Sequence, residues 1–264
     1  MTRNTIRVLA AAGFILMIAP LFAVVVNAFN EDTILSGWGG FTTKWFGAVV
    51  RDPDVRNSTI RSLEVAAAVT AISTVVGTLA VAFSAYVPGP VRALTDSLTV
   101  MRVMVPEIIM SVGLIIVLPE LGIRFGLGAV IIGQSVWAIA FFIAIAGARR
   151  VGFDRRLEDA ARDLGASPFR VLRTIVIPDL MPGILAAALL TFTLSFDDVV
   201  TTLFLSGPDS GTLPTLILAS IRRGITPSIN AIAVLVMIGT ITLLALATLA
   251  SGSLIPGRER RTRA

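Results

Sequence analysis

Neither cysteine nor histidine occurs in this chain. Without cysteine there are no disulfides, no thiol nucleophile and no thiolate metal site. Without histidine the commonest general base and the commonest transition-metal ligand are missing. Charge is scarce as well. Asp, Glu, Lys and Arg make up 15% of the 264 residues, against about 25% in a soluble domain. No G-x-x-x-x-G-K-[ST] phosphate loop occurs, so the chain carries no such ATP-binding motif of its own. Internal repeats, low-complexity stretches and a period-2 apolar alternation are also missing, and the last of these argues against a barrel. The scarcity of charge, with apolar runs of about 20 residues, excludes a soluble enzyme, a disordered regulator and a nucleic-acid module.

What the chain does have is apolar length. It is 55% hydrophobic, with a mean hydropathy of +0.87. The excess sits in six runs, at residues 8–29, 58–87, 98–118, 127–148, 182–205 and 229–250. A run of about 20 residues spans the hydrocarbon core as a helix, and a helix satisfies its own backbone there. The first run follows Arg3 and Arg7, and Val26-Asn27-Ala28 loosely resembles a cleavage site. Its apolar stretch exceeds the roughly 7–15 residues of a signal h-region, so an uncleaved span is expected. Pro88-Gly89-Pro90 is expected to stop the second span and Pro119 the third. The fold class predicted is an all-α integral membrane protein with six transmembrane helices in a single domain over 1–264.

The net charge of +5 and the pI near 11.1 have a topological explanation. No basic stripe with interleaved aromatics is present to suggest nucleic acid. Six spans put both termini on one side. That side carries arginines 3, 7, 92, 102, 149, 150, 155, 156, 162, 170, 173, 258, 260, 261 and 263. The other carries Lys44 and arginines 51, 56, 61, 124, 222 and 223. The excess marks the cytoplasmic face, so both termini are expected there.

Residues 149–179 form the one sizeable cytoplasmic loop between spans. Asp154 is placed to cap a first helix running to Leu164. Gly165 suits the left-handed position that ends it. Ser167 caps a second helix with Pro168 at its first position. Leu157, Ala160, Ala161 and Leu164 fall at i, i+3, i+4 and i+7, on one apolar face. Two alanines at its centre let another surface approach closely, with Asp159, Arg162 and Asp163 around it. Two occupants fit this face: a cleft on a soluble partner, or the lipid surface.

Asp159-Ala160-Ala161, three residues, Gly165, nine residues and Ile175-Val176-Ile177-Pro178 resemble the EAA loop of ABC-type importer permeases. The family pattern has Glu where this chain has Asp159 and Leu where it has Ile177. Glu158 lies one position too early for the Glu role. The resemblance implies a type I ABC importer permease fold, with Leu157, Asp159, Ala160, Ala161, Leu164 and Gly165 engaging an ATPase whose closure is transmitted through this coupling helix. From about 157 to 239, DAARDLGAS, SFDDVV, SGP, LP and the Pro227–Asn230–Ala231 region are similar to the spermidine/putrescine importer permeases. That similarity implies a bacterial inner-membrane protein importing polyamines. It further implies two ATPase subunits, a second related permease and an external substrate-binding protein. Related permeases handle iron, thiamine, phosphonates and opines, so another small solute is the alternative.

Charges within the spans are the candidate substrate path. Asp197 and Asp198 lie in Leu194-Ser195-Phe196-Asp197-Asp198-Val199-Val200. An Asp at a helix centre costs about 2.5–3.5 kcal/mol on insertion scales. Neighbours on a helix point about 100° apart. One carboxylate is therefore expected to face a water-filled path and the other to bond a neighbouring helix, unless both merely cap a broken helix or pair with another subunit. A carboxylate in such a path attracts a cationic substrate, and polyamines are chains of ammonium groups. Glu107, after Pro106, lines the path or caps after the proline. Glu64 either pairs locally with Arg61 at i, i+3 or lines the path. Gln134 and Trp137 share a face that lines the route or packs. Tyr86, Trp38 and Trp45 read as interface anchors. The outer loop 206–228 contains an amphipathic stretch ending in Ile221-Arg222-Arg223-Gly224, either a headgroup-level helix or part of an outer gate. No cofactor or metal is expected. A membrane-embedded diaspartyl protease needs its acids on facing helices, and a passive channel leaves the 149–179 loop unexplained.

Overall fold

The computed structural model describes residues 3–33, 37–84, 86–151, 154 and 156–253. Arg155 and arginines 258, 260, 261 and 263, counted above for topology, lie outside the described residues. Among those described there is no strand, only an isolated antiparallel bridge between Asn30 and Phe41.

The helices run in the order α1 Arg3–Ala28, α2 Lys44–Arg51, α3 Pro53–Phe83, α4 Gly89–Met104, α5 Glu107–Glu120 and α6 Leu127–Val151. After them come α7 Arg156–Asp163, α8 Pro168–Val171, a π turn Leu172–Val176, α9 Ile177–Phe196, α10 Val200–Leu205, α11 Leu213–Arg223 and α12 Pro227–Ser253. Among the described residues four stretches are long and apolar enough to cross a membrane: Arg7–Ala28, Pro53–Phe83, Leu127–Arg150 and Pro168–Phe196. The pair Gly89–Arg102 and Glu107–Glu120 passes the same test together but is bent by 106°, the geometry of a broken span or a re-entrant loop. The sixth run belongs to α12, whose apolar part Pro227–Leu243 is shorter.

Prolines account for three departures from the expected boundaries. The third run was expected as one helix over 98–118 but breaks at Val105–Pro106. A residue before proline is driven out of the α region, and Val105 sits extended at φ −72°, ψ 124°. Pro88-Gly89-Pro90 starts α4 rather than stopping the second span, which already ends at Phe83. Proline in the first turn loses no helical hydrogen bond. The fifth span, expected to begin at Pro182, is continuous from Pro168. The π turn precedes Pro178, and Ile177 N–H reaches back to the Leu172 carbonyl. That wider turn lets the helix pass Pro178, which has no N–H to give.

The chain forms two compact units, one of Met1–Asn57 with Leu216–Ala245 and one of Ser58–Thr215 with Leu246–Ala264. The first contains α1, whose apolar window is not buried at all. A knot of polar bonds around the buried Asn30 follows it. Asn30 Oδ1 accepts from Gly39 N–H at 2.9 Å, Nδ2 donates to the Gly37 carbonyl at 2.6 Å, and Trp45 Nε1 donates to the Asn30 carbonyl at 2.8 Å. Trp45, expected as an interface anchor, is therefore tied into this loop, whereas Trp38 stays exposed.

The second unit is built on α6, which packs against α4, α9 and α10. One cluster joins Val81, Phe142, Ala146, Val171, Val176 and Leu180. The other joins Val65, Val69, Leu118, Val130, Trp137 and Leu205. Small residues permit the close contacts, as membrane helix packing requires. A β-carbon on Gly77 would fall on the Phe142 ring, and one on Gly133 would fall on Leu205 and Thr201.

Candidate functional site

The expected fifth span, 182–205, is not a single helix. α9 ends at Phe196, Asp197 caps its C-terminus at φ −91°, ψ 2°, and α10 begins at Val200. The two aspartates occupy the break. Asp198 is buried and Asp197 is exposed. Asp198 Oδ1 accepts from Thr202 N–H at 2.9 Å, Thr202 Oγ1 at 3.0 Å and Gln134 Nε2 at 3.0 Å. It thereby caps the first turn of α10 and tethers it to α6. Gln134 is fully buried and also accepts from Ser195 Oγ on α9. One amide thus holds both sides of the break. Of the two roles open to Gln134, packing is the one observed. Trp137 is buried in the apolar cluster one turn away.

Glu107 opens α5, directly after the Pro106 break, and is half-buried. Its Oε1 accepts from Thr201 Oγ1 on α10 at 2.9 Å. Glu107 and Asp198 thus bond adjacent residues of α10, Thr201 and Thr202. Two helix breaks, distant in sequence, thus bring two acids together, while the third acid, Asp197, keeps an open side. Glu64 is exposed, and among the described residues no ion pair joins it to Arg61. The expected local bridge is not formed.

The 149–179 loop folds largely as its residues require. Asp154 Oδ1 accepts from Arg156 N–H at 3.0 Å at the start of α7. At the other end Gly165 N–H bonds the Arg162 carbonyl at 2.8 Å and Ala166 N–H the Ala161 carbonyl at 3.0 Å, with Gly165 at φ +82°. This pair of bonds is the Schellman closure. Ser167 Oγ then accepts from Arg170 N–H.

The apolar face, however, is divided. Leu157, Ala160 and Leu164 are exposed, Leu164 at 89%. Ala161 instead packs on the chain's own cluster around Val171 and Val176. The exposed centre of the face is therefore Ala160 alone, with Asp159 exposed beside it. The reason is Glu158. It lies on the same side of the helix as Ala161 and is only 3% exposed. Its Oε1 meets Arg150 Nη2 at 2.7 Å, its Oε2 lies 3.7 Å from Arg162 Nη2, and the Tyr86 hydroxyl donates to Oε2. Sequence reasoning set Glu158 aside and read Tyr86 as an interface anchor. Only the i, i+4 spacing of Glu158 and Arg162 was visible in advance.

At the outer loop, α11 is the amphipathic stretch expected within 206–228. Within the first compact unit a cleft of about 330 Å³ is lined by Asp52, Asp54, Ser220, Arg223, Thr226 and Ser228 among others.

Comparison with known proteins gives a consistent result. Residues 73–260 match the family described as the binding-protein-dependent transport system inner membrane component. The spermidine/putrescine transport system permease protein PotC of Escherichia coli K12 is 33% identical over 221 residues, covering 83% of each chain. The putrescine transport system permease protein PotI of the same strain is 32% identical over 240 residues, covering 87% of this chain and 84% of its own. Among solved structures, a bacterial ABC transporter importing the acidic polysaccharide alginate aligns with a TM-score of 0.77 at 12% identity, covering 95% of each chain. The inward-facing MetNI methionine ABC transporter aligns with a TM-score of 0.63 at 20% identity, over 77% of this chain and 99% of its own. At such identities these two structures speak to the fold alone, which is that of a type I ABC importer permease.

Proposed function

The chain belongs to the family of inner membrane components of binding-protein-dependent transport systems, and from that premise we propose that it forms half of the translocation path for polyamines. It is a transport subunit and multi-pass in the membrane. The observation that carries the substrate is the similarity to PotC and PotI along more than four-fifths of the chain. The chemistry agrees with it. Spermidine and putrescine are cations, and the break between α9 and α10 presents an exposed Asp197 beside Asp198 and Glu107. Asp198 and Glu107 form the wall and Asp197 makes the contact with ammonium groups.

The rest of the assembly follows from the same reading. Residues 1–264 act as one permease domain with both termini in the cytoplasm. An ATPase subunit seats on Leu157, Asp159, Ala160 and Leu164, with Ala161 and Gly165 holding the helix in shape. A single docking loop calls for a second, related permease to engage a second ATPase. An external binding protein docks near 206–228, where the cleft beside Ser220, Arg223 and Ser228 offers charged and polar groups.

The test is uptake of radiolabelled spermidine and putrescine by vesicles holding the complete complex. Asp197→Asn is expected to lower uptake of both while the ATPase subunits still co-purify. Unchanged uptake in Asp197→Asn, Glu107→Gln and the double variant would reject the path assignment. Selective transport of a different solute by the unmodified complex would favour the iron, thiamine, phosphonate or opine alternative.

A further inference from the structure

A four-residue cluster built on the buried Glu158–Arg150 pair joins α7 to the end of α6 and to the turn after α3. Tyr86 lies in the turn between α3 and α4, Arg150 near the C-terminus of α6, and Glu158 and Arg162 on α7. The side chains of Glu158 and Arg150 are 4% and 8% exposed. Glu158 receives Arg150 at 2.7 Å and the Tyr86 hydroxyl. The Arg162 guanidinium, four residues along α7, stacks over the Tyr86 ring with its carbon 5.0 Å from the centroid. Among the described residues, α7 also contacts α8 and the π turn. Ala161 adds one methyl group against the cluster at Val171 and Val176, and Leu157 and Leu164 face outward.

Two physical points follow. An ion pair removed from water gains little net stability over well-packed apolar residues of the same volume. The best-attested use of such a pair is to fix register. In α7 the capping bonds at Asp154 and Gly165 fix its ends, and the Glu158 cluster adds side-chain bonds to α6 and to the turn after α3 that fix its rotational setting. The cluster also has direction. Arg150 is at the end of α6, the helix whose Gln134 grips both sides of the α9–α10 break. Tyr86 sits just beyond α3, whose Val81 and Ala82 pack in the same apolar cluster as Phe142 of α6. A push on α7 therefore reaches two membrane-crossing helices through charged hydrogen bonds rather than through a sliding apolar contact.

We infer that Glu158 is a positioning residue for energy coupling: with Arg150, Tyr86 and Arg162 it locks the rotational setting of α7, so that movement of the docked ATPase is delivered to α6 and α3. The inference rests on the coupling role proposed above for α7. It assigns to Glu158 the inward half of the helix, and leaves the outward half at Leu157, Asp159, Ala160 and Leu164 to the partner.

The test uses the complete complex in vesicles, with ATP hydrolysis and solute uptake measured on the same preparations and normalised to assembled permease. E158Q removes the charge and keeps the shape. Y86F removes one hydroxyl from the surface turn and guards against a folding defect in E158Q. Both are expected to retain the ATPase subunits at the unmodified ratio and to hydrolyse ATP. Solute moved per ATP should fall about tenfold, within the range usual for coupling between sites. The charge-exchanged variant R150E/E158R should recover part of that loss. Unmodified transport per ATP in both E158Q and Y86F would overturn the inference. Loss of ATPase retention in both would also overturn it, because the cluster would then belong to the docking surface. If the coupling reading itself is wrong, the unmodified chain will fail to retain an ATPase.

Discussion

Gln134 on α6 donates its amide to Asp198 at the head of α10 at 3.0 Å and accepts the hydroxyl of Ser195 at the tail of α9. A single buried side chain thus spans the discontinuity in the fifth membrane helix. Breaking a helix inside a bilayer exposes backbone groups, and they must be re-satisfied by protein. Here Asp198 takes the Thr202 N–H, and Gln134 holds Asp198 in place.

Gln134→Leu is therefore expected to cost about 1–3 kcal/mol, the penalty for stranding a buried polar group. Asp198→Asn keeps one acceptor oxygen and should cost less. Because the two share a network, the double variant should fall short of the sum. Thermal denaturation of the detergent-solubilised chain measures all three, and additive losses would contradict the shared network.

The division of the α7 face predicts opposite phenotypes for adjacent alanines. Ala160→Glu should leave thermal stability unchanged and abolish ATPase co-purification. Ala161→Glu should destabilise the chain itself by about 1–3 kcal/mol through overpacking against the Val171–Val176 cluster. Equal effects of the two substitutions on both measurements would remove the two-faced description.

Gly165→Ala must adopt φ +82° with a side chain, at a cost of about 1–2 kcal/mol. Gly165→Pro additionally loses the 2.8 Å bond to the Arg162 carbonyl. Protease sensitivity of the 149–179 loop should rise in the order glycine, alanine, proline. An unchanged digestion pattern for the proline variant would show that the closure of α7 is dispensable.

Gly77→Ala should be among the costliest conservative changes in the chain. Its new methyl meets the rigid, fully buried ring of Phe142, so α3 and α6 must separate. About 1–3 kcal/mol is expected, and Phe142→Leu should restore part of it. Thermal denaturation of the single and double variants would reveal a missing interaction between them.

Tyr86 is the chain's only tyrosine, so tyrosinate absorbance reports it alone. Burial, then its hydrogen bond to the Glu158 carboxylate and that carboxylate's charge, raise its pKa above the usual 10.0. A phenol with a raised pKa stabilises the fold fully below the unfolded value and loses that contribution as pH climbs through the folded one. The purified chain in detergent should ionise above pH 10.0, and Glu158→Gln should move the midpoint back towards it. A midpoint at or below 10.0 in the unmodified chain would disprove the contact.

Much of this protein was legible in its residues because the relevant forces are local. Runs of about 20 apolar residues must become helices in a bilayer whatever surrounds them. Asp154, Gly165, Ser167 and Pro168 cap and close α7 and α8 through bonds spanning a few residues. The acids in the spans were conspicuous because each is expensive there. Other features depended on partners far along the chain. Nothing near Asp197 and Asp198 told which is buried; the answer lies in Gln134, more than sixty residues away. Nothing near Pro106 announced that Glu107 would meet Thr201. Glu158 was set aside on spacing, yet it faces inward because Arg150 and Tyr86 are brought beneath α7. Helix period and capping are properties of neighbouring residues. The choice of which polar group is buried follows from which distant donor reaches it, and tertiary packing alone decides that.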